Sequence, residues 1–299
     1  MDLLWALEGM RTPFLDFLFK TITRLGEIPI LVITFCILYW CVSKKIGYIL
    51  GLSFLLSSLV VQGMKIVFRV PRPWITDPSF SPVEGAVKEA TGYAFPSGHT
   101  QSGAAFLGSF GAVSKNNVFK ILFFALAILV GLSRIYLGVH YAIDVIVSLV
   151  ITFLAIYFVQ KFFTEEQVSK ERDLIISFII AFMSVAIFII AAVVYQSELS
   201  EAAKLRDSIR IAGGGIGFAI GFYVERTYIN FLVKTKAIYL QIVKTICGLA
   251  GALIIYGVVR LLGSGLVVTS LRYFFAALWV SVAFPYIIKR FFSAPKSTN

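Results

Sequence analysis

Runs of about twenty apolar residues follow one another through this chain, and each is long enough to cross the hydrocarbon of a bilayer as a helix. They fall at about 28–43, 46–68, 97–114, 118–138, 141–162, 174–195, 208–225, 238–260 and 267–288. A backbone in lipid must satisfy its own polar groups, so such runs fold as helices. The expected fold is therefore all-α, a polytopic membrane helical bundle of about nine transmembrane spans. Composition agrees: 59% of the 299 residues are hydrophobic, 14% are charged, and mean hydropathy is +0.88. A soluble domain cannot bury that much apolar surface.

Residues 2–25 differ from the other runs and read as an N-terminal amphipathic helical segment. Leu3, Leu7, Met10, Phe14, Leu18 and Leu25 keep a helical period, while Glu8, Thr12, Asp16, Lys20 and Arg24 form a polar ladder opposite. Thr12-Pro13 is an N-cap followed by an N1 proline, so two short helices are expected. They either lie in the interface or complete the bundle. Asp2, Glu8, Arg11, Asp16, Lys20 and Arg24 interrupt any signal-peptide core, so no cleavable signal is expected.

The net charge of +11 sits mostly in short loops. Lys44, Lys45, Lys115, Lys120, Lys161, Lys170, Arg172, Arg226, Lys234, Lys236, Lys289, Arg290 and Lys296 all fall on one side, which is the cytoplasmic one by the positive-inside rule. Loops 69–96 and 133–140 then face outward. No basic run with interleaved aromatics lies outside the spans, so nucleic acid is not an expected partner. Cys36, Cys41 and Cys247 lie in apolar runs at spacings that match no metal site, and read as small buried hydrophobes.

Two segments break the succession of short loops. Residues 69–96 carry Pro71, Pro73, Pro78 and Pro82 and are too long for a turn, which suggests a lid or site loop. The charged stretch 161–173 divides the chain into residues 1–163 and a C-terminal group, 164–299, of four spans. In that group Gly213, Gly217 and Gly221 recur every four residues, a small-residue face suited to close helix packing within the chain.

Ionisable residues at membrane depth are costly and mark function. They gather in three places: Lys65 with Arg72, Pro96-Ser97-Gly98-His99, and Ser133 to Asp144. With the orientation above, all three sit at the outer ends of their helices. Both histidines of the chain, His99 and His140, belong to these groups. Two histidines and an aspartate could hold a metal, but Lys65, Arg72 and Arg134 beside them suit an anion. Arginine forks, a lysine and the glycine-flanked start of a helix at Ser97-Gly98 together make a phosphate cradle. His140 precedes Asp144 by four residues, so both share a helix face. The carboxylate can hold Nδ1–H and leave Nε2 as a nucleophile. His99 can donate a proton to the leaving oxygen.

Lys65, six residues, then Arg72-Pro73; Pro96-Ser97-Gly98-His99; and Ser133-Arg134, five residues, His140, three residues, Asp144 together resemble the three-part signature of the type 2 phosphatidic acid phosphatase and vanadium haloperoxidase superfamily. The resemblance covers residues 1–163 and implies a core of six helical segments. It implies metal-independent hydrolysis of a phosphomonoester or pyrophosphate through a phosphohistidine, with no cofactor. His140 is then the nucleophile, Asp144 its partner and His99 the general acid, while Lys65, Arg72, Ser97, Gly98 and Arg134 bind phosphate. The extra spans and Leu38–Cys41, "LYWC", resemble the sphingosine-phosphate phosphatase branch.

A site at the outer membrane–water boundary suits a lipid phosphate: phosphatidic acid, phosphatidylglycerol phosphate, a polyprenyl pyrophosphate or a sphingoid phosphate. The expected place is a bacterial plasma membrane, with the site on the extracytoplasmic side. The rival readings are a lipid phosphotransferase with the same site, a sugar-phosphate phosphatase, a haloperoxidase, and a lipid transporter or scaffold run by the C-terminal spans.

Overall fold

The computed structural model describes residues 1–163, 169–197, 202–235 and 237–292, and the regular structure among them is helical throughout. The helices are α1 (Asp2–Gly9), α2 (Pro13–Thr23), α3 (Ile28–Ile37), α4 (Lys44–Phe68), α5 (Pro73–Thr76), α6 (Gly98–Val113), α7 (Asn117–Tyr136) and α8 (Ala142–Phe162). They continue with α9 (Lys170–Ser197), α10 (Ala202–Val224), α11 (Ile238–Arg260), α12 (Leu266–Leu278) and the short α13 (Phe284–Ile287). Residues 164–168 of the charged stretch, and Lys236 and Lys296, lie outside the described residues.

Six helical stretches among the described residues are long and apolar enough to cross a membrane: Lys44–Thr76, Asn117–Tyr136, Ala142–Phe162, Lys170–Gln196, Ile238–Arg260 and Leu266–Phe292. Pro13–Gly26 and Ile28–Val42, bent by 46°, make a seventh if taken as one span. The nine expected spans are not all of this kind, for two physical reasons. Helix α6 has only 16 residues and buries Gln101, Ser102 and Ser109, so protein rather than lipid surrounds it. Helix α10 carries Lys204, Arg206, Asp207 and Arg210 in its first turns.

The chain forms two compact units. The first comprises Met1–Val32, Ile49–Phe163 and Val193–Asp207. Here Gln101 of α6 donates to Ser57 Oγ (2.7 Å) and Phe54 O (3.2 Å) of α4 and accepts from Ser58 Oγ (3.1 Å), so its buried amide is satisfied in place. The loop 69–96 is docked: Phe80, Val83 and Ala86 are buried, and Val83 N–H donates to Leu137 O at 3.1 Å.

The N-terminal segment is two helices, and Thr12 caps the second by accepting from Leu15 N–H at 3.3 Å. Leu3, Met10, Phe14 and Leu18 of the apolar stripe are exposed, whereas Leu7 and Leu25 of the stripe pack inward with Leu4, Leu15 and Phe19. Asp16 of the polar ladder faces the protein and accepts from Tyr136 OH at 2.8 Å. Where the solvent is hydrocarbon, an apolar stripe is the outward face.

The second unit comprises Ile33–Tyr48, Thr164–Ala192 and Ser208–Asn299. Its buried Asp173, Glu225 and Arg226 are paired, as a low dielectric demands. Glu225 accepts from Lys44 Nζ (2.7 Å), from Phe231 N–H (3.1 Å) and from Tyr48 OH, and Arg226 Nε donates to Asp173 Oδ2 at 2.7 Å. The glycine face of α10 packs inside the chain. A Cβ at Gly213 would stand 2.1 Å from Ser270 O, and one at Gly217 would stand 2.4 Å from Phe274 O, both on α12. Of the cysteines, Cys36 is buried, but Cys247 lies on an exposed face of α11, where apolar surroundings suit a thiol equally well.

Candidate active site

The three polar groups of the sequence meet at one end of the first unit's helices. The C-terminal end of α4 brings Lys65, the connection to α5 brings Arg72, the start of α6 brings Ser97, Gly98 and His99, the end of α7 brings Arg134, and the start of α8 brings His140 and Asp144. Ser97 N–H donates to Asp144 O at 3.1 Å, which ties the first turns of α6 and α8 together.

At the centre stands His140, 2% exposed, beside Asp144, 0% exposed. Nδ1 lies 3.1 Å from Asp144 Oδ2, and Nε2 lies 2.8 Å from Arg72 Nη1. A guanidinium can only donate, so Nε2 accepts, and the ring proton sits on Nδ1, facing the carboxylate. Asp144 Oδ2 also accepts Tyr141 N–H at 2.9 Å, so the carboxylate is fixed by the backbone of its own helix start. Burial first, then the charges of Arg72, Lys65 and Arg134, holds the imidazole well below its ordinary range. His140 is thus neutral at pH 7, with its lone pair on Nε2. Burial and the same three cations act on His99, so the two rings belong to one cluster.

The cations are held by uncharged oxygens. Arg72 donates from Nη1 to Val139 O (2.8 Å), from Nε to Gly92 O (3.1 Å) and from Nη2 to Thr91 O (2.6 Å). Lys65 Nζ donates to Tyr93 O at 2.5 Å. Arg134, 1% exposed, donates from Nη1 to Thr23 Oγ1 at 2.9 Å. Ser97 caps α6, its Oγ accepting from Thr100 N–H (3.3 Å) and Thr100 Oγ1 (2.9 Å), so its own hydroxyl proton is left to donate. The result is a buried anion cradle: three cations, a capped helix start and a neutral imidazole within reach of them.

Beside Arg134 opens a cavity of about 210 Å³ lined by Lys20, Thr23, Arg24, Glu84, Ala86 and Leu137 among others. Sequence reasoning did not find Thr23, nor the carbonyls of residues 91–93. A lone threonine has no motif, and a carbonyl is common to every residue. The only hint was the unusual length of loop 69–96, which supplies those carbonyls.

Residues 46–167 match the PAP2 superfamily, and residues 209–296 match the PAP2 superfamily phosphatase, transmembrane extension. A probable sphingosine-1-phosphate phosphatase of Dictyostelium discoideum is 26% identical over 298 residues, covering 90% of this chain and 70% of that protein. Phosphatidylglycerophosphatase B of Bacillus subtilis (strain 168) is 30% identical over 180 residues, covering 55% of this chain and 82% of that protein. The crystal structure of Aquifex aeolicus LpxE superposes with a TM-score of 0.48 at 26% identity, over 54% of this chain and 93% of that one.

Proposed function

This chain belongs to the PAP2 superfamily, and from that premise we propose that it hydrolyses a lipid phosphomonoester or pyrophosphate with His140 as nucleophile. It is a membrane-embedded lipid phosphatase, a hydrolase; the assignment of each residue's role is our reading. The observation that carries it is the polarity of the His140 ring, Nδ1 to Asp144 and Nε2 toward the cations.

The chemistry follows in two steps. Nε2 of His140 attacks phosphorus, and the bond from phosphorus to the leaving oxygen breaks as His99 gives that oxygen a proton. The negative charge on the phosphoryl oxygens is met by Lys65, Arg72, Arg134, the Ser97 hydroxyl and the N–H groups at the start of α6, where Gly98 lets the backbone come close. Asp144 keeps the proton on Nδ1 and steadies the charge that builds on the ring. Water, giving its proton to His99, then attacks the phosphohistidine and releases inorganic phosphate. The charge a metal ion supplies in other phosphatases comes here from side chains.

The relatives bear names for a sphingoid phosphate and a phosphatidylglycerol phosphate. The cavity beside Arg134 is lined by Lys20 and Arg24 as well as Glu84, and this net positive lining suits a head group with a second negative charge. The proposed side of the membrane rests on Lys115, Lys120 and Lys161, at the helix ends opposite those that carry the site; by the positive-inside rule they support an extracytoplasmic cradle. A bacterial plasma membrane is the proposed location. In the proposed division of labour, residues 1–163 carry the chemistry and 164–299 support it.

The test is phosphate release from a panel of phosphatidic acid, phosphatidylglycerol phosphate, polyprenyl pyrophosphate, sphingosine 1-phosphate and glucose 6-phosphate, with the His140→Ala variant beside the wild type. Release from at least one lipid, abolished in the variant, supports the reading. Preference for glucose 6-phosphate, or movement of the phosphate to a second lipid without release, overturns it.

A further inference from the structure

We infer that Asp207, at the start of α10, is a positioning residue for the phosphate cradle: it clamps the segment 91–93 on which Arg72 and Lys65 are hung. The inference rests on the hydrolase reading above. Three successive carbonyls, those of Thr91, Gly92 and Tyr93, accept from Arg72 Nη2, Arg72 Nε and Lys65 Nζ. The position of this segment therefore sets where two of the three cradle cations stand. Behind it, Ala94 N–H donates to Val70 O at 2.9 Å, which fixes the segment's far end. Its near end is exposed at Thr91 and turns through Gly92 at φ +65°.

The first turns of α10 grip that near end at each residue. Thr91 Oγ1 donates to Asp207 Oδ2 at 2.5 Å. Lys204 Nζ lies 5.2 Å from the centre of the Tyr93 ring. The carbonyl of Lys204 would stand 3.0 Å from a Cβ on Gly92, and with the positive φ this reserves the position for glycine. The carboxylate also reaches the cradle through its field, since Asp207 joins Asp144 in acting electrostatically on both Lys65 and Arg72. Asp207 thus fixes the acceptors of the cations and balances part of their charge.

Asp207 lies between the two family matches, which end at 167 and resume at 209, so neither match covers it. It gives the C-terminal half of the chain a direct link to the chemistry.

Arg72 meets the phosphoryl group most strongly in the transition state, so a loosened segment should lower kcat more than it raises KM. With full-length protein in detergent micelles, Asp207→Ala and Thr91→Val should each lower kcat about tenfold with KM within about twofold, and the double variant should be no worse than either single one. Asp207→Asn, which keeps an acceptor, and Thr91→Ser, which keeps the donor, should recover most of the rate. A merely structural role would not reproduce this pattern of rescue and non-additivity. Binding of orthovanadate, read by thermal stabilisation, gives a second measure independent of turnover. The single variants should weaken it about tenfold, again without adding. Losses that multiply in the double variant, failure of both rescues, or wild-type kcat in Asp207→Ala would overturn the clamp. If the wild type releases phosphate from no lipid, the hydrolase reading fails, and the vanadate measurement still decides the clamp.

Discussion

Two histidines carry distinct proposed roles, and the leaving group separates them. If His99 supplies only a proton, its removal matters most where the leaving oxygen is a poor anion. General-acid help is worth about 10²–10⁴-fold where it is needed. His99→Ala should lose most turnover on a lipid alkyl phosphate and keep more on p-nitrophenyl phosphate, whereas His140→Ala should be inactive on both. Asp144→Asn should fall between them, because the ring stays in place but loses the anion that fixes its proton. Turnover of the three folded variants on both substrates is the measurement. Equal losses for His99→Ala on the two substrates would remove its acid role. A second residue-scale expectation concerns Lys20 and Arg24. If they meet a second charge on the head group, Lys20→Ala and Arg24→Ala should raise KM several-fold for phosphatidylglycerol phosphate and leave that for p-nitrophenyl phosphate unchanged. All eight proposed site residues were legible in the sequence, because a nucleophile, its partner and its cations must keep a fixed spacing on helices. Thr23 and Asp207 were not, since each acts across more than a hundred residues on a partner that no periodicity announces.

At the scale of elements, periodicity proved better at finding helices than at naming their faces. The apolar stripe of α1 and α2 was visible, but a stripe does not say which solvent it meets, and Leu3, Met10, Phe14 and Leu18 of it point out, as lipid allows. The glycine repeat of α10 was visible too, and its partner is now identifiable as α12. There the backbone itself is the obstacle, so nothing flexible can yield. Gly213→Ala and Gly217→Ala should each lower the melting temperature, at a cost of about 1–3 kcal/mol for overpacking. The neighbouring Gly214→Ala should not lower it, because the nearest atom to a Cβ there is 3.9 Å away and alanine favours the helix. Equal melting temperatures for all three variants would show that α10 and α12 are not in close backbone contact.

At the scale of the whole molecule, membrane topology and metal independence are both testable. An impermeant thiol reagent applied from outside intact cells, in a background with the native cysteines replaced, should label Ser79→Cys and spare Lys115→Cys. The reverse pattern would turn the active site toward the cytoplasm. Phosphate release should persist in excess chelator and fall with orthovanadate; loss on chelation with recovery on adding a divalent ion would end the metal-free proposal. The number of spans was the least legible feature, because α6 is short and polar within protein and α10 is charged in its first turns. Such helices satisfy the packing of the bundle rather than the thickness of the bilayer. The hydrogen bond from Arg72 to His140 has one further consequence. It hangs a cradle cation on the ring of the proposed nucleophile, so the part of the site that holds charge and the part that would form the bond share one joint.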